Sequence, residues 1–270
     1  MSPETISLKL FYCYAQEDKA LRDELEIHLS GLTKQYNLIH WSDRNITPGT
    51  EWEHTISQQI EHANIILLLI SPHFLASYYC YEKEMQQALD HHTSGECCVI
   101  PILLRPTLWE DMPFSRIQLL PTNTQPVTRW NDRDEAFFDI AQGISTAIKT
   151  RLDTLLQKYE HFLHRHPHNV RAWYKKGFIL YTLKRYEEAL SAFQRAIQGN
   201  PLTSDLHLWK GRVLMALGRY DEALDANDRA RQLKGKLPHS TSNATKELKD
   251  WLRTNNKNWE DVEVIGPEDE

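Results

Sequence analysis

The sequence predicts an α/β domain with a parallel sheet in its first half and an all-helical repeat array in its second half. Three observations lead to this prediction. Short apolar runs alternate with segments of helical periodicity up to about residue 150, strand-like runs stop beyond that point, and the remaining chain repeats itself at a spacing of 34 residues.

Apolar runs in the first half have the length and composition of strands buried in a parallel sheet. The run NIILLLIS at residues 64–71 is continuously apolar, which is typical of a central strand covered by helices on both faces. The run at residues 125–130 contains fewer apolar residues and is predicted to be an edge strand. The predicted strands are residues 6–14, 38–41, 64–71, 97–104 and 125–130.

Amphipathic helices are predicted between these strands, because apolar residues recur there at helical spacing. In the helix over residues 18–32, for example, Leu21, Leu25 and Leu29 lie on one face. The connection at residues 105–124 is long and irregular, and such connections are uncommon unless they carry function or cover a surface. The predicted helices are residues 18–32, 51–63, 80–91 and 134–149.

The composition excludes several classes of function. A formal net charge of -6 argues against a protein that coats nucleic acid, because phosphate binding depends on clustered Lys and Arg. No apolar stretch reaches the roughly 18 to 20 residues that span a bilayer, and no secretory signal opens the chain, so we expect a cytoplasmic protein without membrane contact. Four cysteines without CxxC spacing indicate reduced core thiols, and no metal site is predicted. Phosphate-loop, GxGxxG and GxSxG motifs are absent from the sequence.

The second half resembles an array of tetratricopeptide repeats. Gly177 pairs with Gly211 at a spacing of 34 residues, and RY and EAL motifs recur at the same spacing. Small residues at such positions let the two helices of a repeat cross closely, while Pro201 separates one repeat from the next. The second repeat departs from the pattern at Asn227, where an aromatic residue is usual.

These observations divide the chain into a sheet domain, a connecting segment, two repeats and a C-terminal segment. The predicted boundaries are 1–149 for the sheet domain, 150–169 for a linker helix or degenerate half repeat, 170–203 and 204–237 for the two repeats, 238–260 for a capping helix and 261–270 for a disordered acidic tail.

Motifs of the first half occur in an order that resembles the Toll/interleukin-1 receptor (TIR) domain, and its bacterial branch in particular. The motifs are FYCY with Glu17-Asp18, WSDRNITPG at residues 41–49, ISPHFL at residues 70–75 with Tyr79-Cys80, and Trp109, Pro113-Phe114, Leu120-Pro121, Pro126-Val127 and Trp130. The resemblance covers about residues 6–149 and implies a flavodoxin-like five-stranded parallel sheet with a ligand crevice at the carboxyl ends of its strands. Two positions depart from the family pattern: Cys13, where serine is commoner, and Gln16, where related enzymes can carry a basic residue or histidine.

Many TIR domains cleave NAD+ between nicotinamide and ribose with one glutamate at the start of the helix after the third strand. The resemblance therefore implies an NAD+ hydrolase, with NAD+ as substrate and no cofactor, and places the catalytic carboxylate at Glu84, with Glu82 as the alternative. These residues are two apart and cannot share one face of a helix. A carboxylate beside the ribose would stabilise the positive charge that develops on the sugar. The competing explanation is that Glu84 caps or solvates an exposed helix start.

Further residues match positions that contact the ligand in family enzymes. Aromatic side chains are expected against a flat nicotinamide or adenine ring, although each also has an interpretation as a core residue, which is strongest for Trp109. Residues 42–50 match the loop that assembles TIR domains and gates the site in this family, with a plain surface turn as the alternative. The predicted binding residues are Tyr14, Gln16, Asp43, Arg44, Trp52 and Trp109.

Two functions fit these features. The first is an NAD+ glycohydrolase or cyclase that is activated when TIR domains self-associate, with the repeats binding a protein or peptide partner as a sensor or scaffold. The family suggests signalling or defence against phage as its setting. The second is a non-catalytic adapter, which shares every feature of the fold and is separated from the enzyme by Glu84 and its aromatic neighbours. The sequence leaves open whether the product is ADP-ribose or a cyclic form.

Overall fold

The first half of the chain contains a parallel sheet. The computed structural model describes residues 8–41, 52–77 and 83–234, and within these ranges the sheet has four strands in the order β2-β1-β3-β4. The order is that of flavodoxin-like folds, so the predicted architecture is confirmed. The strands are β1 (Leu8–Cys13), β2 (Leu38–Trp41), β3 (Ile65–Ile70) and β4 (Cys98–Leu103), and all three neighbouring pairs are parallel.

Helices connect these strands and make up the second half. The predicted helix over residues 18–32 is two helices that meet at the buried residue Leu29, and the second of them ends at Asn37 in a left-handed conformation. The helices are α1 (Lys19–His28), α2 (Ser30–Tyr36), α3 (Trp52–His62), α4 (Pro72–Ala76), α5 (Gln86–Thr93), α6 (Arg133–Arg165), α7 (Val170–Thr182), α8 (Tyr186–Gly199), α9 (Ser204–Ala216) and α10 (Tyr220–Leu233).

The structure corrects the prediction of a fifth strand at residues 125–130. Among the described residues this segment contains a 3-10 helix, Val127–Arg129, and no strand. The edge of β4 is instead covered by Leu120, whose carbonyl accepts a hydrogen bond from the backbone N–H of Leu103 at 2.8 Å. Pro126 has no N–H to donate, so this part of the chain is poorly suited to a strand ladder.

One layer of the core of the sheet domain lies between the sheet and helices α3 and α5. Every residue of β3 is buried, as its apolar sequence predicts. On one face of the sheet, Phe11 and Cys13 of β1 pack in a cluster with Ile56 and Ile60 of α3 and Ala88 of α5. Full burial of one such aliphatic side chain is worth about 1.5 to 3 kcal/mol, so this layer fixes α3 and α5 against the sheet.

Helix α6 differs from its prediction, because it runs on where a helix ending at residue 149 and a separate segment are expected. It is one helix of 33 residues, Arg133–Arg165, and no proline or glycine interrupts it after Gly143. The chain divides into two compact units between Thr154 and Leu155, inside this helix. The predicted capping helix at residues 238–260 and tail at residues 261–270 lie outside the described residues.

The second unit contains the two predicted helix pairs, α7–α8 and α9–α10. Gly177 is small for a clear reason: a Cβ there would lie 3.0 Å from the ring of Phe193. At the equivalent place in the second pair, a Cβ on Gly211 would lie 2.3 Å from Oδ1 of Asn227. Both glycines therefore let the helices of a pair approach closely, as the repeat pattern predicts. No helix in the described ranges is long and apolar enough to cross a membrane.

Candidate functional site

The candidate site is built at the carboxyl ends of β1 and β3. In a flavodoxin-like sheet these neighbouring strands form the topological switch point, because the chain leaves them toward opposite faces and opens a crevice between them. Cys13 is the last residue of β1, and its Sγ donates a hydrogen bond to Oε2 of Glu84 at 2.7 Å. The predicted catalytic carboxylate therefore reaches the edge of the sheet at which ligands bind in this class of fold.

Glu84 is not exposed to solvent, so it does not solvate the start of its helix. Its side chain is buried, with only 7% of the residue exposed. Residues 83–85 form a π-helical turn that precedes α5, and such turns are common at functional sites because they redirect a side chain out of the regular helix. A buried carboxylate is costly unless it is hydrogen-bonded, which gives the Cys13 thiol a physical role.

Contacts between α3 and α5 hold the segment that carries Glu84. Nζ of Lys83 lies 2.8 Å from Oε2 of Glu53. One turn further along α5, the Gln87 amide donates to the carbonyl oxygen of Ser57 at 3.1 Å and to its hydroxyl at 3.0 Å. These polar contacts connect α3 with the turn at residues 83–85 and with the first part of α5.

A second polar group, which the sequence analysis does not predict, lies at the same edge. Asp18 is fully buried, and its two carboxylate oxygens accept hydrogen bonds from the hydroxyl of Ser71 and from Nε of Arg105, the latter at 2.6 Å. Asp18 follows β1, Ser71 follows β3 and Arg105 follows β4. The sequence signals for this network are weak: Asp18 and Ser71 lie within family motifs, and Arg105 directly follows the predicted strand at residues 97–104.

Tyr14, one of the predicted binding residues, comes directly after Cys13 at the end of β1. Successive residues of an extended chain point to opposite faces, so Cys13 and Tyr14 diverge. Tyr14 is 7% exposed, and the guanidinium of Arg22 lies over its ring at 5.1 Å from the centroid. The structure therefore gives Tyr14 a place in the packing of the opposite face of the sheet.

That opposite face holds its own partly buried polar cluster. The hydroxyl of Tyr12 lies 2.7 Å from Nδ1 of His40, whose Nε2 lies 2.6 Å from the hydroxyl of Thr33. Burial lowers the pKa of His40, because the charged imidazolium loses its hydration, and burial likewise raises the pKa of Tyr12. Arg22 completes the cluster through Glu26, with Nη1 and Oε2 at 2.6 Å.

Two aromatic side chains flank the core on the face of Glu84. Trp109 is half-buried and packs against the core cluster, in agreement with its interpretation as a core residue, while part of its surface stays accessible. Trp41, at the end of β2, is also half-buried and stacks on Phe11 with ring centroids 5.2 Å apart and planes 13° apart. Trp41 begins the family motif at residues 41–49 but is not among the predicted binding residues.

The remaining predicted residues are only partly described. Gln16 is exposed and lies in the 3-10 turn Gln16–Asp18, directly after β1. Trp52 is the first residue of α3, but its side chain is outside the described part of the structure. Asp43, Arg44, Glu82 and the loop at residues 42–50 also lie outside the described residues. Within the described ranges, no three His, Cys, Asp or Glu side chains are arranged to hold a metal ion.

Comparison with known families identifies both halves of the chain. Residues 10–140 match the family model of the TIR domain. Residues 170–201 and 186–238 match two family models of the tetratricopeptide repeat. The first half therefore belongs to the TIR domain family, and the second half is an array of tetratricopeptide repeats. Domains of both kinds generally mediate contacts between proteins.

Two relatives are similar to the first part of the chain. An uncharacterised protein, y4lF, of Sinorhizobium fredii is 43% identical over 138 residues, which is 51% of this chain and 43% of the relative. The Toll/interleukin-1 receptor domain-containing adapter protein of Homo sapiens is 31% identical over 91 residues, which is 34% of this chain and 40% of the relative. The matched part thus spans less than half the length of each relative.

Proposed function

We propose that this chain is an NAD+ hydrolase that cleaves the bond between nicotinamide and ribose, with Glu84 as the catalytic residue. The observation that carries the proposal is the buried carboxylate of Glu84, held by the Cys13 thiol at 2.7 Å at the carboxyl end of β1. Burial of an ionisable group costs free energy, because the group loses its hydration. Such groups are concentrated at functional sites. A chain that only binds other proteins has no need of this arrangement.

The chemistry requires little beyond one positioned carboxylate. Nicotinamide leaves NAD+ as a neutral molecule from a cationic ring, so the leaving group needs no proton. Positive charge develops on the ribose as the bond breaks, and a carboxylate beside the sugar stabilises that charge and holds the ribose hydroxyls. Water then adds to the sugar to give ADP-ribose, or a nucleophile within the substrate adds to give a cyclic product.

Aromatic surface on the face of the sheet that carries Glu84 supports the binding of a planar ring. Trp41 and Trp109 are both half-buried on the face of the sheet that carries Glu84, so each has an accessible part on which a ring can stack. In this proposal Gln16 lies at the rim of the site, directly after β1. Asp43 and Arg44, in the loop at residues 42–50, and the Trp52 side chain, at the start of α3, are proposed to complete it.

Regulation by assembly follows from the pairing of the two domain types. We propose that TIR domains self-associate to complete the active site and that the repeats bind a protein or peptide partner that promotes this assembly. Stacked helix pairs suit that role, because they present an extended surface for a peptide or helix. The setting that we propose is cytoplasmic signalling, including defence against phage.

The test is nicotinamide release by the purified full chain over a concentration series, with and without a crowding agent, followed by chromatography. We expect release to rise more steeply than protein concentration, and the second product to be identified in the same run as ADP-ribose or a cyclic form. Sedimentation of the same samples reports their assembly. No release from protein that sedimentation shows to be assembled would contradict the proposal.

That negative result would favour a second function, an adapter that binds proteins through both domain types. The similarity to a human protein named as an adapter, at 31% identity over 91 residues, supports this alternative. An adapter would keep its partner binding when Glu84 is changed to glutamine, whereas the enzyme would lose its effect on NAD+.

A further inference from the structure

We propose that Arg105 binds a phosphate group of the substrate, and that it selects nucleotides that carry a diphosphate over nucleosides that carry none. The inference deepens the proposed function and rests on it for the identity of the substrate. It starts from the network of Asp18, Ser71 and Arg105, which the catalytic role of Glu84 does not use.

The position of the network is the first argument. Asp18 and Ser71 follow β1 and β3, the two strands that flank the switch point, and Arg105 follows β4 by two residues. The backbone N–H of Leu104, next to Arg105, donates to the carbonyl of Ile70 at 2.9 Å and so ties this segment to the end of β3. Ligands of flavodoxin-like folds bind at this edge, and Arg105 brings a permanent positive charge to it.

The geometry of the guanidinium is the second argument. Arginine has five N–H donors, and Nε of Arg105 uses one of them on Asp18 at 2.6 Å. In the described part of the structure, the two terminal nitrogens of Arg105 make no hydrogen bond to the protein, and 36% of the side chain is exposed. Two neighbouring terminal nitrogens match the spacing of two phosphate oxygens, so they suit a bidentate contact.

The burial of Asp18 is the third argument. Asp18 has none of its surface exposed and is held from its other side by Ser71, whose hydroxyl also accepts a hydrogen bond from the backbone N–H of Phe74 at 3.0 Å. A carboxylate fixed in this way orients the guanidinium before any ligand arrives. Preorganisation of this kind increases affinity, because less side-chain freedom is lost on binding.

A purely structural role is the competing explanation. In that case the ion pair of Arg105 and Asp18 would only attach the long connection at residues 105–124 to the sheet. The two roles differ in what a lysine would do at this position. Lysine keeps a positive charge opposite Asp18 and so preserves the attachment of the connection. It lacks the two terminal guanidinium nitrogens that would contact a phosphate. Arg105→Lys therefore separates phosphate binding from the structural ion pair with Asp18.

The experiment measures the binding of ADP-ribose and of adenosine to the full chain by calorimetry. Arg116 is exposed in the same connection, so Arg116→Lys is the matched control. We expect Arg105→Lys to weaken ADP-ribose binding by about tenfold to a hundredfold, the loss of a charge-assisted contact, and to leave adenosine binding unchanged. Arg116→Lys should change neither. Equal weakening of both ligands by Arg105→Lys, unchanged ADP-ribose binding, or no ADP-ribose binding by the wild type would overturn the inference.

A second variant guards against misfolding. The double change Asp18→Asn with Arg105→Gln removes both charges and leaves no buried charge unpaired. It should show the same selective loss of ADP-ribose affinity, and a thermal unfolding curve reports its folding.

Kinetics extend the same test to turnover. Arg105→Lys should raise KM for NAD+ and leave kcat and the cleavage of nicotinamide riboside, which has no phosphate, unchanged. A fall in the cleavage of both substrates would contradict phosphate selection. If the wild type binds ADP-ribose through Arg105 but releases no nicotinamide, the proposed hydrolase fails while the phosphate site is upheld.

Discussion

The two units of the chain differ in what they bury. Among the described residues, the sheet unit buries Asp18, Arg22, Ser71 and Glu84, whereas the buried polar residue of the repeat unit is Thr182. The hydroxyl of Thr182 simply donates to the carbonyl of its own helix, four residues back, at 2.9 Å. Buried charge is therefore concentrated in one unit.

This difference supports a division of roles, with the proposed chemistry in the sheet unit and the proposed binding of partners in the repeat unit. Buried charges must be paired and hydrogen-bonded, and they persist where a site requires them. The repeat unit is held by apolar packing instead: the rings of Phe178 and Trp209 lie 5.0 Å apart, and those of Phe193 and Trp209 lie 6.1 Å apart. Its polar residues are left at the surface, where they are available to a partner.

Phe193→Ala should strongly destabilise the repeat unit. Phe193 is fully buried and fills the space against Gly177, and truncation of such a side chain costs about 3 to 5 kcal/mol. Thermal unfolding of the full chain should show the loss in the transition of the repeats, with ADP-ribose binding by the sheet unit retained. Phe162 is 41% exposed and provides the control, since Phe162→Ala should change stability by about 0.5 kcal/mol or less. Loss of ADP-ribose binding in Phe193→Ala would break the proposed division.

Cys13→Ala should lower turnover, because it removes the thiol that holds the carboxylate of Glu84. Loss of such a hydrogen bond is worth about 1 to 3 kcal/mol, so we expect kcat to fall about tenfold to a hundredfold with little change in KM. In Cys13→Ser a hydroxyl replaces the thiol as the hydrogen-bond donor, so this variant should retain most of the wild-type kcat. Cys97 is a buried thiol that lies 3.7 Å from the carbonyl of Ala88, and Cys97→Ala is the matched control. Equal kcat in the serine and alanine variants of Cys13 would show that the thiol does not position Glu84.

Asn227→Leu should stabilise the repeat unit by about 1 kcal/mol. Oδ1 of Asn227 is buried against Gly211 and has no hydrogen-bond partner in the described part of the chain, and leucine of similar shape removes that unsatisfied acceptor. Chemical denaturation of the wild type and the variant measures the difference. A loss of stability would mean that Asn227 has a polar role that the packing does not explain.

The stability of the sheet unit should depend on pH through His40. Burial lowers the pKa of His40 from its usual value of 6.5, so the folded protein favours the neutral ring. This contribution to stability is present above about pH 6.5 and is lost as the pH falls through the folded pKa, since the unfolded chain then binds more protons. His40→Gln should weaken this dependence in unfolding curves measured from pH 7.5 to pH 5. An unchanged dependence would exclude His40 as its source.

The sequence predicts most of the fold because its strongest signals are local. A continuous apolar run such as β3 and a spacing of 34 residues can be recognised without knowledge of the rest of the chain. The edge of the sheet is predicted less well, because one hydrogen-bonded residue, Leu120, takes the place of a strand there. Such a contact is determined by tertiary packing and leaves no local pattern.

The site is predicted only in part for the same reason. Glu84 lies in a motif that resembles the family, but its burial depends on the thiol of Cys13, which is 71 positions away in the sequence. Asp18 and Arg105 are 87 positions apart, and nothing in the sequence pairs them. Tyr14 comes one position after Cys13, and the alternation of side chains along an extended chain places it on the opposite face of the sheet, against Arg22.

Nicotinamide release by matched glutamine variants is the most direct test of whether the carboxylate of Glu84 is required for the cleavage of NAD+. Glutamine keeps the size of glutamate and removes its charge, so folding can be compared by thermal unfolding. We predict that Glu84→Gln lowers the rate of release by at least about a hundredfold under conditions in which the wild type is active, and that Glu82→Gln keeps most of the rate. Turnover that survives Glu84→Gln, or that is lost in Glu82→Gln alone, would contradict this account.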